Sequence, residues 1–270
     1  TERRVFVVEG EKPLPQTWPP FPMSNPLDEY LCEFVSERRL AFAKRVLRQR
    51  TRHLTVVLED FFKPHNASAC LRSCDCFGLQ DAYITETYYQ FKKSQGVTAG
   101  AADWMTLYRY SDRNGGRKAC FEDLRNRGYQ LYAADPAPKG VLVEELDISR
   151  PTAILFGSER KGISDEAREA AVGLVRLPMY GFTESFNVSV ACALTLSTLA
   201  RKLFQSDIPW QLPAADQDVL WRKWIRRAVG RTWPRLEREY FKRHPQHRDR
   251  VEEWALSSLA KRSSAAYESG

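Results

Sequence analysis

The sequence predicts an α/β fold built on a mainly parallel sheet, with a helix ahead of it and a basic, helical extension behind. Three observations lead there. Between His53 and about Ala200, short apolar runs alternate with helical patterns, which is how βαβ units read in sequence. The composition, 43% hydrophobic with 28% charged and 12% aromatic residues, suits a chain that buries a core and excludes a wholly disordered, collagenous or low-complexity one. A length of 270 residues exceeds one small domain and fits one α/β domain with additions.

Residues 1–26 form the first segment, a proline-rich arm. Six prolines (Pro13, Pro15, Pro19, Pro20, Pro22 and Pro26) fix φ and remove donors there, so the arm reads as extended and coreless. Residues 27–53 follow as an N-terminal helix. Asn25 is the expected N-cap and Pro26 the first helical position, with Leu31, Phe34, Val35, Phe42, Val46 and Leu47 at helical spacing. Its basic end, with Arg38, Arg39, Lys44, Arg45, Arg48, Arg50 and Arg52, suits the helix dipole and reads either as a solvated face or as a phosphate contact.

Residues 54–206 carry the α/β pattern. The expected strands are Leu54–Leu58, Asp81–Ile84, Trp104–Tyr108, Tyr129–Ala133, Thr152–Phe156 and Gly173–Leu177. Between them the pattern predicts helices near Asn66–Phe77, Lys118–Arg127, Ser164–Ala171 and Asn187–Phe204. Residues 207–270, opened by the breakers Pro209 and Pro213, form the extension. Its stretch from Trp221 to Arg250 has eleven Lys or Arg against three acids, interleaved with Trp221, Trp224, Trp233, Tyr240 and Phe241. Such mixtures stack on bases while binding phosphates, which makes Arg226, Arg227 and Arg231 candidate nucleic-acid contacts; packing of the tryptophans against a core is the other reading.

The net charge of +7 points to a polyanionic partner. No apolar run approaches the ~18 residues of a membrane span, and the first ten residues lack an apolar signal segment, so a soluble, cytoplasmic protein without membrane association is expected. Six scattered cysteines (Cys32, Cys70, Cys74, Cys76, Cys120, Cys192) are expected as thiols, and Cys70, Cys74 and Cys76 lack the second pair a zinc site requires. His65 has no carboxylate partner in the local sequence and reads as a loop residue.

Three stretches are denser in special residues than packing requires. Lys63-Pro64-His65-Asn66-Ala67-Ser68-Ala69-Cys70-Leu71-Arg72 takes a strand into a helix, and whether Asn66 and Arg72 share a surface depends on Asn66 sitting at the cap. Phe156-Gly157-Ser158-Glu159-Arg160-Lys161-Gly162-Ile163-Ser164 lies at a strand's carboxyl end, where α/β sheets bind ligands, and its two glycines allow close backbone approach. It lacks the Gly-Lys-Ser/Thr ending of a phosphate-binding loop. Leu177-Pro178-Met179-Tyr180-Gly181-Phe182-Thr183-Glu184-Ser185-Phe186-Asn187 feeds a small-residue helix suited to tight packing or to a partner subunit.

In this order and at these separations, the three stretches resemble the signature motifs of the SPOUT methyltransferases, in particular the TrmH (SpoU) branch, which methylates ribose 2′-hydroxyls in RNA. The resemblance covers about residues 54 to 204, and the helix at 27–52 resembles the short N-terminal helix of the tRNA-type members. It implies a deep trefoil knot in the C-terminal part of the domain, a homodimer, S-adenosyl-L-methionine as cofactor and no metal. Carried over motif by motif, it implies catalytic roles for Asn66, Arg72, Glu159, Ser185 and Asn187, and backbone contacts to the cofactor near Ala134, Gly157, Leu177 and Phe186. Phe186 stands where the family commonly has Leu, and Ala134 where related enzymes often have Thr.

The implied reaction needs two atoms aligned about 3–3.5 Å apart and a proton removed. The family assigns the base to the Arg that matches Arg72, but a guanidinium with a pKa above about 12 does not readily give up its proton. A phosphate clamp is the better role for Arg72, with Asn66, Ser185 and Asn187 orienting the hydroxyl and the loops, and Glu159 holding Arg72 or Asn66 or ordering the cofactor loop. The expected substrate is tRNA, with guanosine 18 of the D-loop as target. Ribosomal RNA, or a non-catalytic RNA-binding scaffold of the same fold, is the alternative.

Overall fold

A strand covered on both faces by helices reads as a mainly apolar run, and β1 (Leu54–Glu59), next to the middle of the sheet, is buried at every position, Thr55 and Glu59 included. The computed structural model describes residues 25–91 and 100–248; residues 1–24 of the expected arm and the end of the basic tail, Arg250 included, lie outside the described residues. Two compact units are present, one of residues 51–210 and one that joins residues 25–50 to 211–248.

The helices α1 (Pro26–Cys32) and α2 (Glu37–Arg48) belong to the second of these units. In the first, β1 is followed by α3 (Pro64–Cys76), β2 (Asp81–Glu86), β3 (Thr106–Ser111), α4 (Gly116–Asn126), β4 (Gln130–Ala134), β5 (Val141–Leu142), β6 (Thr152–Phe156), α5 (Asp165–Ala170), β7 (Gly173–Arg176) and α6 (Val188–Gln205). All seven strands are parallel, in the order β3-β2-β1-β6-β4-β7-β5. The expected strands are found within about three residues of their predicted ends. The short edge strand β5 is too brief to leave a pattern.

Both faces of the sheet are covered. On one, Val56, Leu58, Ile154 and Phe156 pack against Cys70, Leu71 and Cys74 of α3 and Cys192, Leu196 and Leu199 of α6. On the other, Val57, Tyr83, Tyr108 and Leu155 meet Cys120, Phe121 and Leu124 of α4 and Ala167 of α5. Each such aliphatic or aromatic side chain contributes about 1.5–3 kcal/mol on burial, so these two layers dominate the stability of the unit. The cysteines are all free thiols, and burial pushes those of Cys74 and Cys120 well up, away from reactivity.

The second unit corrects the expectation of one N-terminal helix over 27–53. The chain forms α1 and α2 there, with a break at 33–36. Asn25 caps α1, its Oδ1 accepting from the Asp28 N–H at 2.8 Å, and Pro26 takes the first helical position. The break comes at Ser36, whose extended ψ of 143° opens a second helix, and it leaves Phe34 and Phe42 half exposed rather than on one buried stripe.

These helices pack against α7 (Ala214–Val229) and α8 (Trp233–Arg243). Trp221 and Trp224 are buried, with Lys44 over the ring of Trp221 and Arg50 over that of Trp224, so part of the aromatic content of the tail is core. Asp28 is fully buried between Arg222 at 3.5 Å and Arg226 at 3.4 Å. Burial raises its pKa while the two guanidinium groups pull it back down. The expected boundary between a separate leading helix and a separate extension thus gives way to one helical unit drawn from both ends of the chain.

Candidate active site

The carboxyl ends of parallel strands are where α/β sheets leave room for ligands. Here the ends of β4, β6 and β7 and the amino end of α6 surround a cavity of about 460 Å³. Its walls include Asn66, Ala134, Gly157, Glu159, Leu177, Ser185, Phe186 and Asn187. Every residue implied in catalysis or cofactor contact is therefore at one cavity, with the exception of Arg72.

Asn66, Glu159 and Asn187 form a hydrogen-bonded chain across three loops distant in sequence. Asn66 Nδ2 donates to Glu159 Oε1 at 2.7 Å, and Asn187 Nδ2 donates to Asn66 Oδ1 at 3.4 Å. Glu159 also accepts the backbone N–H groups of Phe62 (2.9 Å) and Lys63 (3.3 Å), so it pins the loop after β1 to the loop after β6. Of the partners considered for Glu159, the structure pairs it with Asn66. Asn187 caps α6, its Oδ1 accepting from the N–H and Oγ of Ser189 at 2.9 and 2.7 Å. With both ends of its amide engaged, Asn66 has a fixed orientation.

The condition for Asn66 and Arg72 to share a surface, Asn66 at the cap of α3, is not met: Lys63 holds that position and Asn66 lies inside the first turn. Six helical steps lead from Asn66 to Arg72, which puts them about 9 Å apart along the axis and about 120° apart around it. Asn66 is buried towards the cavity, whereas Arg72 is exposed on another face of α3.

The glycines of the second stretch serve loop closure. Ser158 and Gly162 exchange backbone hydrogen bonds of 2.9 and 2.8 Å, and Gly162 has a φ of 67°. A Cβ on Gly157 would collide with the carbonyl group of Gly162 and lie 2.5 Å from the Ile163 nitrogen, so only glycine allows this backbone crossing.

Sequence reasoning missed several groups. Asp135 and Arg168 pair at 2.8 Å at the cavity wall, and Arg176 reaches the Gly140 carbonyl at 2.9 Å. Asp135 directly follows β4, so its position at a strand's carboxyl end was the available signal.

Also unforeseen is a buried ionic hub behind the same loop. Arg117 bridges Glu59, at 3.0 Å, and Asp60, while Glu59 accepts from Ser164 Oγ at 2.6 Å and Ser164 N at 3.0 Å. Burial raises the Glu59 pKa against the pull of Ser164 and Arg117. Asp60 takes a φ of 48°, tolerated because its Oδ1 accepts the N–H groups of Thr87 and Tyr88 at 2.6 and 2.8 Å. Removing Arg117 leaves two buried carboxylates unpaired, so Arg117→Met is expected to cost about 3–5 kcal/mol, and further change of Glu59 and Asp60 to Gln and Asn to recover part of it. Denaturant midpoints of the two variants check this.

Among the described residues, no group of three His, Cys, Asp or Glu side chains could hold a metal ion, and no helix is long and apolar enough to cross a membrane. In the helical unit, Arg226 pairs with Asp28 and with Glu237 at 3.1 Å, whereas Arg227 and Arg231 are exposed.

This fold and these loops are those of an α/β RNA methyltransferase: residues 53–197 match the SpoU rRNA Methylase family, and the chain belongs to that family. Among similar proteins is one named tRNA (guanosine(18)-2′-O)-methyltransferase from Borreliella burgdorferi, 36% identical over 199 residues, which cover 74% of this chain and 89% of that one. A protein of the same name from Thermus thermophilus is 35% identical over 195 residues, 71% of this chain and 98% of the relative. The crystal structure of the A. aeolicus TrmH/SpoU tRNA modifying enzyme superposes with a TM-score of 0.63 at 29% identity, covering 72% of this chain and 98% of that one.

Proposed function

We propose that this protein transfers a methyl group from S-adenosyl-L-methionine to a ribose 2′-hydroxyl of tRNA, at guanosine 18 of the D-loop. The observation that carries the reading is the Asn187–Asn66–Glu159 chain at the mouth of the 460 Å³ cavity. The names of the relatives, and the near-complete span over which this chain matches them, support tRNA as substrate.

The cavity suits the cofactor in size and chemistry. Its volume is in the range of about 300–1,000 Å³ found for small-ligand sites. Phe156, Leu177, Phe186 and Val188 give it apolar walls, the backbone at Ala134, Gly157 and Leu177 supplies polar groups, and the carboxylates of Asp135 and Glu159 complement a positively charged ligand. When bound, S-adenosylmethionine supplies an electrophilic methyl on a sulfonium.

The chain's own groups orient the acceptor. Asn66 and Asn187, held by each other and by Glu159, fix the floor on which the ribose rests, with the exposed Ser185 hydroxyl at its edge. Arg72 would clamp the phosphate beside the ribose from outside the cavity, and a phosphate oxygen would accept the 2′-hydroxyl proton as the O–C bond forms at the expense of the methyl–sulfur bond, with the neutral thioether as leaving group. This removes any need for a neutral guanidinium.

The finer reading adds a trefoil knot in the C-terminal part of the α/β domain and a homodimer working in the cytoplasm. In the helical unit, Arg227 and Arg231 are proposed as RNA contacts. Arg226, the third candidate, is engaged by the buried Asp28 and by Glu237, so the test leaves it in place: neutralising Arg227 and Arg231 together is expected to weaken tRNA binding and lower its salt slope by about 1–2. An unchanged slope in a salt titration assigns them to packing.

Transfer of labelled methyl to total tRNA, followed by nuclease mapping, tests the whole reading. The expected product is 2′-O-methylguanosine in the D-loop. Label in ribosomal RNA alone moves the substrate, and no transfer to either overturns the enzyme reading in favour of a scaffold.

A further inference from the structure

We propose that Arg160, laid flat on Phe62 beside the cavity, is a shelf on which a nucleobase of the substrate RNA stacks. The proposal rests on the methyltransferase reading for the identity of the ligand. Its geometry is independent of that reading.

The Arg160 guanidinium carbon lies over the Phe62 ring, 3.6 Å from its centroid, well inside the ~6 Å within which a cation is held by an aromatic face. Phe62 is braced from behind by Tyr89, edge to face at 5.0 Å, and its backbone is held by Glu159 at 2.9 Å. The ring is thus fixed to the residue that also fixes Asn66. Beside it, Lys161 Nζ sits 3.6 Å from the ring of Tyr88, making a second cation and ring pair on the same surface.

Arg160 and Lys161 are exposed, and among the described residues no carboxylate meets the Arg160 guanidinium. An ion pair would turn the guanidinium edge towards its partner. Stacking on Phe62 instead leaves one planar face open, with N–H donors around its rim. A planar cation held over a ring, next to a cavity proposed to receive the ribose of an RNA, matches a nucleobase in shape and its flanking phosphate in charge. Neither Arg160 nor Phe62 lines the cavity itself, so the shelf lies outside the cofactor walls.

The test measures the Kd for tRNA by filter binding with the full chain, alongside methyl transfer and the affinity for S-adenosylmethionine by calorimetry. Arg160→Ala and Arg160→Lys are both expected to weaken tRNA binding about tenfold, since lysine keeps the charge but loses the plane, with cofactor affinity unchanged. Phe62→Leu, which keeps the backbone bond to Glu159, is expected to weaken binding by a smaller factor. Wild-type binding by Arg160→Lys overturns the shelf in favour of a simple phosphate contact, and wild-type binding by Arg160→Ala overturns any contact there. Absence of methyl transfer by the wild-type chain overturns the activity instead and leaves the binding comparison to decide the shelf.

Discussion

Replacing Arg72 by alanine is expected to lower kcat/KM for tRNA by about 10²-fold while the fold and the cofactor affinity stay as they are, because losing a clamp that holds the reacting atoms in line costs about 10²-fold for a misplacement of about 1 Å. The structural basis is the separation of functions along α3. Its buried face, with Asn66, Ala67, Cys70, Leu71 and Cys74, packs the helix, and Arg72 faces away from that packing. Exposed substitutions of this kind change stability by about 0.5 kcal/mol or less. Arg72→Lys is expected to recover only part of the rate, since an ammonium cannot hold a phosphate with two parallel N–H bonds. Steady-state kinetics with thermal melts and calorimetry check the three quantities separately, and near-normal turnover by Arg72→Ala removes the clamp.

Gly157→Ala is expected to act in the opposite way, damaging cofactor binding before chemistry. The added methyl would meet three backbone atoms within 2.5 Å, those of Gly162 and Ile163, and backbone has no rotamer to move out of the way. The loop from Ser158 to Gly162 must therefore open, taking with it Glu159 and its hold on Asn66 and on the backbone at Phe62 and Lys63. Overpacking of this sort costs about 1–3 kcal/mol, and the same displacement is expected to weaken S-adenosylmethionine binding by about tenfold or more. Calorimetry on the folded variant measures it. Unchanged affinity would mean that the loop carries no part of the cofactor site.

The strands and the cavity were legible in the sequence for different reasons. β1 and β6 are apolar runs bounded by loop residues, and burial on both faces leaves that pattern plainly. The cavity residues were legible through the resemblance rather than through their own chemistry: Asn66 or Ser185 alone reads as an ordinary loop or cap residue. What was illegible depends on tertiary packing. The break between α1 and α2 carries no proline or glycine, and the pairing of Arg226 with Asp28 joins residues from opposite ends of the chain. For the same reason the ionic hub of Glu59, Asp60 and Arg117 could not be read from spacing, since Arg117 arrives from α4. Arg72 shows the limit of motif reasoning, because a shared motif placed it with Asn66 and a helix of 3.6 residues per turn separates them.

The strand order has a consequence for synthesis. β1 lies between β2 and β6 and pairs Leu54 with Thr152, so one edge of this fully buried strand stays open until nearly a hundred further residues have been made. Through that interval the nascent domain presents an unpaired backbone edge, a long-range pairing that is slow to close and prone to association with other chains. Yield of active protein should therefore respond to translation speed and to chaperone supply more steeply than the stability of the finished sheet would suggest.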